Sequence, residues 1–231
     1  MLPVVIAGGG PVGLALALCL HQAGIDCMVC DAREEGAQGA DRRVLALSHG
    51  SRQILERLGA WTAIGATPIT RIHVSQQGRF GRTLIRAEEA GVPALGYVTE
   101  AARIAAALRQ ACNECGVPIR HEARITDSEI GAGCAIVHCS SAAGSETITA
   151  QLLAWAEGAV SDGHDVVRRD YGQRAIVAAI ETRQPPCGIA YERFTPDGAV
   201  ALLPQGGRHA LVWSVPEAAA AGLSALDDSA F

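Results

Sequence analysis

Apolar positions at the start of the chain fall into two unbroken runs of strand length with a helical segment between them. Residues 3–7 (PVVIA) are apolar without alternation, the pattern of a strand buried on both faces. Gly8 to Gly13 follow as a turn, and residues 14–24 (LALALCLHQAG) read as a helix stopped by Gly24 in the C′ position. Residues 26–31 (DCMVCD) form a second buried strand that ends on Asp31. Strand, glycine turn, helix and strand in this order predict a βαβ unit and a parallel sheet.

Beyond a polar stretch at 34–43, residues 44–61 (VLALSHGSRQILERLGAW) carry Ile54, Leu55 and Leu58 at helical spacing, with Gly59 as the stop. Residues 69–76 (ITRIHVSQ) alternate like an exposed strand. A second good helix is predicted from Glu100 to Cys115, closed by Gly116. PIRHEARITDSEI (118–130) and AIVHCSS (135–141) read as strands of a meander, and residues 148–158 as a buried strand running into a turn. Four strand-like runs, 173–182, 189–196, 199–205 and 209–215, are joined by Gly, Pro and Asp turns. The closing SALDDSAF (224–231) reads as the start of a helix. The predicted architecture is α/β: a Rossmann-like parallel sheet intertwined with an antiparallel β-sheet. The nucleotide-binding portion is expected at 1–70 and 96–168, and the β-sheet portion at 71–95 and 169–231.

Composition narrows the chemistry. A net charge of −5 with 49% hydrophobic residues argues against a nucleic-acid partner. All 19 lysine-plus-arginine positions are arginine, which excludes a P-loop lysine, a Schiff-base lysine and a Ser–Lys pair. The eight cysteines lie mostly in apolar runs and are expected to be reduced and structural. Cys27 and Cys30 have CxxC spacing, but on a strand they point to opposite faces, so no metal site is expected. The opening apolar run is broken by Gly8–Gly9–Gly10–Pro11 and is too short to cross a bilayer, so it is read as neither a span nor a leader. His49, His73, His121, His138 and His164 are scattered and form no catalytic pattern.

The candidate chemistry sits in the glycine turn. Gly8-x-Gly10-x-x-Gly13, with Pro11 and Val12 between the last two glycines, follows a strand and opens a helix. The first glycine makes the tight turn, the second lets a pyrophosphate approach the backbone, and the third lets helix and strand pack closely. The helix N-terminus stabilises phosphate charge with its free N–H groups and dipole. Asp31, at the end of the second strand, is placed to accept hydrogen bonds from a ribose, and its charge disfavours a 2′-phosphate there. These residues predict a dinucleotide site without separating NAD from FAD.

Several stretches together carry a family resemblance: DRRVLALSHGSRQILERLGAW (41–61), residues 69–108, LLAWAEG (152–158), RDYGQRAIVAAIET (169–182) and AYERFTPDGAVALLP (190–204). They resemble the FAD-dependent hydroxylases of ubiquinone biosynthesis, most closely the 2-octaprenyl-6-methoxyphenol hydroxylase type, whose fold is related to p-hydroxybenzoate hydroxylase. The resemblance implies FAD as cofactor, NADH or NADPH as transient electron donor, and hydroxylation of a polyprenyl phenol with O2. It also implies a cytoplasmic protein, peripheral at the inner face of the membrane or associated with a ubiquinone-synthesis complex. By position, Gly8, Gly10, Gly13 and Asp31 would hold the ADP half of FAD. Arg43 matches an arginine near the ribityl–pyrophosphate part, Arg103 an arginine on the next helix facing the cofactor, and Ile125 a backbone position offered to the adenine.

Two departures stand out. The family's Asp-Gly turn reads Glu157–Gly158 here, followed by Ser161 and a DGH stretch in place of the usual arginine. The family's Gly-Asp motif, which binds the ribityl chain, has no counterpart, because the sequence contains no Gly-Asp dipeptide. The chain is therefore expected to be an N-terminal portion of the enzyme, inactive by itself and binding FAD weakly or not at all. The other readings left open are a flavin reductase or dehydrogenase without hydroxylation, and a non-catalytic nucleotide-binding or scaffold subunit.

Overall fold

The computed structural model describes residues 1–36, 41–141, 144–158, 167 and 169–231. The chain divides into two compact units, one formed by 1–42, 53–65 and 100–166, the other by 43–52, 66–99 and 167–231.

In the first unit, β1 (Leu2–Ala7) leads through the glycine turn into α1 (Pro11–Gln22), and β2 (Cys27–Cys30) follows. β1 pairs in parallel with β2 on one side and with β11 (Gly144–Trp155) on the other, and β2 pairs in parallel with β8 (Ile119–Arg120). β9 (Arg124–Gly131), β10 (Cys134–Ser141) and β11 form the antiparallel meander, giving the order β8-β2-β1-β11-β10-β9. The unbroken apolar runs follow from this layering, because both faces of β1 and β2 are covered. Val5, Ala7, Met28 and Cys30 point into one core with Ile125, Val137, Cys139 and Ile148 of the meander. On the opposite face, the Cys27 thiol donates to the carbonyl of Ala17 on α1 at 3.6 Å. The two CxxC cysteines thus face opposite ways, as strand alternation requires. α4 (Ala101–Glu114) lies beside α1, and the Cys112 thiol donates to the Leu14 carbonyl at 3.6 Å.

The second unit contains a sheet ordered β12-β15-β14-β13-β5-β6, formed by Gln173–Ile180, Arg208–Pro216, Gly198–Gln205, Ile189–Thr195, Arg71–Gln76 and Arg82–Arg86. All its pairings are antiparallel except β13 with β5. A smaller sheet, β3-β7-β4, is built from Val44–Ser48, Gly96–Glu100 and Thr67–Ile69. Ile69, Val98 and Ala190 join the two sheets in one core, with Val44, Ile72 and Leu203 packed against it. Residues 43–52, 66–70 and 96–99, expected with the nucleotide-binding portion, group with the second unit.

Two elements differ from the periodicity. Residues 44–48 form a strand, and the helix α2 begins only at His49 and ends at Arg57. At the other end, the helix is α5 (Glu217–Ser224), which precedes the segment read as a helix start. Within 225–231 the Asp227 carboxylate accepts from the N–H groups of Ser229 and Ala230, a local turn that competes with a helix. No helix among the described residues is long and apolar enough to cross a membrane.

Candidate nucleotide site

The glycine turn has three positions with three different spatial constraints. Gly8 has φ +111, and a Cβ there would lie 2.6 Å from the Ala156 carbonyl oxygen and 2.9 Å from the Glu157 nitrogen. Its N–H donates to the Cys30 carbonyl at 2.8 Å, so the end of β1 is pinned between the ends of β2 and β11. A Cβ on Gly13 would lie 1.9 Å from the Gly8 carbonyl oxygen, so α1 can approach the strand this closely only with glycine there. A Cβ on Gly10 would meet nothing within 4 Å. Packing therefore explains Gly8 and Gly13 but not Gly10, which borders open space at the start of α1.

Gly10 is the N-cap of α1 and makes no side-chain cap hydrogen bond, and Pro11 occupies the first turn. The first turn of a helix has N–H groups without intrahelical acceptors, and a glycine cap supplies none from its side chain. Val12 is 72% exposed on this turn. The dipole of a 12-residue helix adds positive potential at the same point.

Beneath the turn lies an ion cluster. Asp31 is 2% exposed at the end of β2. Its Oδ1 accepts from the Arg33 main-chain N–H at 3.2 Å and from Arg33 Nε at 3.0 Å. Its Oδ2 accepts from Arg33 Nη2 at 3.2 Å and from Arg109 Nη2 at 3.1 Å. The same Arg109 nitrogen donates to the Gly9 carbonyl at 3.1 Å, tying α4 to the turn. Arg109 Nη1 lies 3.4 Å from His121 Nε2. A Cβ on Gly9 would sit 2.3 Å from Asp31 Oδ2, so glycine is also required at the second position of the turn. Burial pushes the Asp31 pKa up, but the hydrogen bonds from Arg33, its charge and the Arg109 contact outweigh this, leaving it below 3.8.

The structure therefore gathers Gly8, Gly10, Pro11, Val12, Gly13, Asp31 and the backbone of Glu157 at one end of the first unit's sheet. Ile125 contributes its side chain to the core from the edge strand β9. Arg103 is exposed, and its Nη1 donates to the carbonyl of Ile64 at 3.3 Å, at the C-terminus of α3 (Trp61–Ile64). Arg43 is exposed in the second unit, directly before β3. Ser161 and the DGH stretch, including His164, lie outside the described residues. Sequence reading missed Arg33 and Arg109. Arg33 stands two residues after Asp31, a spacing that brings it within reach. Arg109 is a cation beside the buried stripe of α4, a second available signal.

Among the described residues, no three His, Cys, Asp or Glu side chains are grouped to hold a metal ion. In the second unit, burial lowers the pKa of His209 and raises that of Glu192. His73, Tyr191 and His209 form a row on one face of the larger sheet, with ring centroids 5.7 and 6.4 Å apart.

A family model described as FAD binding domain matches residues 1–220. Ubiquinone hydroxylase UbiL of Rhodospirillum rubrum is 30% identical, over 96% of this chain and 54% of the relative. The 3-demethoxyubiquinol 3-hydroxylase of Escherichia coli is 30% identical, over 91% of this chain and 56% of the relative. The crystal structure of the flavin-dependent monooxygenase PieE in complex with FAD and substrate superposes with a TM-score of 0.71 at 18% identity, covering 96% of this chain and 46% of that one. The chain spans about half the length of the curated relatives it matches.

Proposed function

The chain belongs to the FAD binding domain family, and from that premise we propose that it serves an FAD-dependent aromatic monooxygenase. The reaction is hydroxylation of a polyprenylated phenol in ubiquinone biosynthesis, with NADH or NADPH as electron donor and O2 as oxygen source. The substrate class rests on the activities of the two ubiquinone-pathway hydroxylases that the chain resembles. A polyprenyl tail favours work at a membrane surface or within a ubiquinone-synthesis complex.

The observation that carries the reading is the asymmetry of the glycine turn. Gly8 and Gly13 are required by contacts within the protein, while Gly10 is left open beside an uncapped helix start. A pyrophosphate is the ligand that such an opening fits. When bound, FAD supplies the redox chemistry. The first turn of α1, with Pro11 and Val12, would neutralise the pyrophosphate, and Asp31 would hold the adenosine ribose. Ile125 would offer backbone to the adenine, Arg43 and Arg103 would serve the pyrophosphate and ribityl region, and the Glu157 turn would border the cofactor.

With no Gly-Asp ribityl motif in the sequence, the ADP half carries most of the affinity of this chain. Calorimetric titration of the purified chain is expected to give ADP and FAD affinities within about threefold of each other, a difference of under 1 kcal/mol. Gly10→Val, which fills the opening, is expected to abolish both. An ADP affinity left unchanged by Gly10→Val overturns the assignment of the glycine turn to the cofactor's pyrophosphate.

A further inference from the structure

Asp31 enters the proposed site with its acceptors already engaged. A carboxylate offers about four acceptor positions. Two donors of Arg33 reach Oδ1, and one each from Arg33 and Arg109 reach Oδ2. A ribose cannot be added to this arrangement; it must replace something.

The two arginines differ in what leaving would cost. Arg109 has a side chain only 11% exposed, and its Nη2 serves Asp31 and the Gly9 carbonyl together. Withdrawing it would strip a donor from the turn and leave Asp31 buried with less compensation. Arg33 has a side chain 44% exposed, so water can take up its guanidinium once it swings away. Its main-chain N–H stays on Oδ1 in either case, because that bond does not depend on the side chain. The side chain gives Asp31 two hydrogen bonds, and the 2′- and 3′-hydroxyls of a ribose can donate two.

We infer that Arg33 is a displaceable clamp on Asp31: its guanidinium occupies the ribose position in the nucleotide-free protein and is exchanged, two hydrogen bonds for two, when an adenine nucleotide binds. Arg109 is the fixed partner and holds both the carboxylate and the glycine turn in place. The inference rests on the FAD reading of the site and adds a residue that opposes binding rather than promoting it. The clamp keeps the buried carboxylate paired before the nucleotide arrives.

The test uses the full chain and two probes, ADP and 2′,3′-dideoxy-ADP, with affinities measured by calorimetry for the wild type, Arg33→Met and Arg33→Lys. Circular dichroism checks that each variant is folded. In the wild type, the ribose hydroxyls gain little, because they must first displace the clamp, so the two probes bind with similar affinity. In Arg33→Met the preference for ADP over the dideoxy analogue is expected to rise roughly tenfold, the size of a hydrogen bond to a charged group. Arg33→Lys, which keeps the charge but loses the fork, is expected to fall between them. Adding Asp31→Asn to Arg33→Met should bring the ratio back towards one. An unaltered ratio in both Arg33 variants, or weaker ADP binding on loss of Arg33, overturns the clamp while leaving the FAD reading intact. An ADP affinity that neither Gly10→Val nor the Arg33 variants change overturns both.

Discussion

Asp31 is a carboxylate almost removed from water, and its charge survives because two guanidiniums face it. Burial alone would raise its pKa; the Arg33 and Arg109 interactions bring the net value below 3.8. A carboxyl whose folded pKa is depressed stabilises the fold fully above the unfolded value, and that stabilisation is lost as the pH falls through the folded value. The stability advantage of the wild type over Asp31→Asn is therefore expected to be largest above pH 3.8 and to shrink below it. Urea unfolding of both proteins across the acid range measures this. An advantage that stays constant with pH would show that the cations do not hold the carboxylate in its charged form. The glycines beside it act at the same scale: Gly9 keeps clear of the Asp31 side chain, and Gly13 keeps clear of the Gly8 carbonyl. Each of these small residues marks a close approach, whereas Gly10 marks an opening.

At the scale of elements, the β13–β14 hairpin shows how local geometry sets sheet packing. Gly198 sits at φ +149, and a Cβ there would lie 2.1 Å from the carbonyl oxygen of Ser214 on β15. Gly198→Ala must therefore strain the backbone and push two paired strands apart, a loss of about 2 kcal/mol or more. The unfolding midpoint is expected to drop by about 5 °C. Gly207→Ala, where a Cβ would meet nothing within 4 Å, is the control and should leave the midpoint nearly unchanged. Equal effects of the two substitutions would count against the close strand approach. Elements governed by local pattern were legible in the sequence: β1, the turn, α1 and β2 follow from two apolar runs, one glycine spacing and one helix stop. Residues 44–48 were not, because a strand of five residues adjoining a helix shares its apolar positions, and only pairing in the small sheet decides between them. The ion cluster was half legible for the same reason. Asp31 follows from the motif, but its contact with Arg109 joins residues 78 apart and exists only once α4 lies against the turn.

For the whole molecule, the two units differ in how they bury their cysteines. All eight thiols are free. Cys27, Cys30, Cys112 and Cys139 are buried in the first unit, in the layers between sheet, helices and meander. Burial is the main cause that raises all four, with Cys30 and Cys112 pushed up to about 12. Thiolate, not thiol, is the reacting form, so these four are protected both by lack of access and by protonation. Cys19, Cys115 and Cys187 are exposed, and Cys134 is half-buried. Titration of the native chain with a disulfide reagent at pH 8 is therefore expected to show three fast thiols, one slower, and four that react only on denaturation. Since the protected set belongs entirely to the first unit, the late-reacting thiols report on that unit's unfolding and not on the second's. Denaturant-dependent labelling followed by mass mapping separates the two. Release of Cys112 and Cys139 in a single step would mark the helical and meander layers as one cooperative core, and early release of Cys139 alone would mark the meander as a separate folding element.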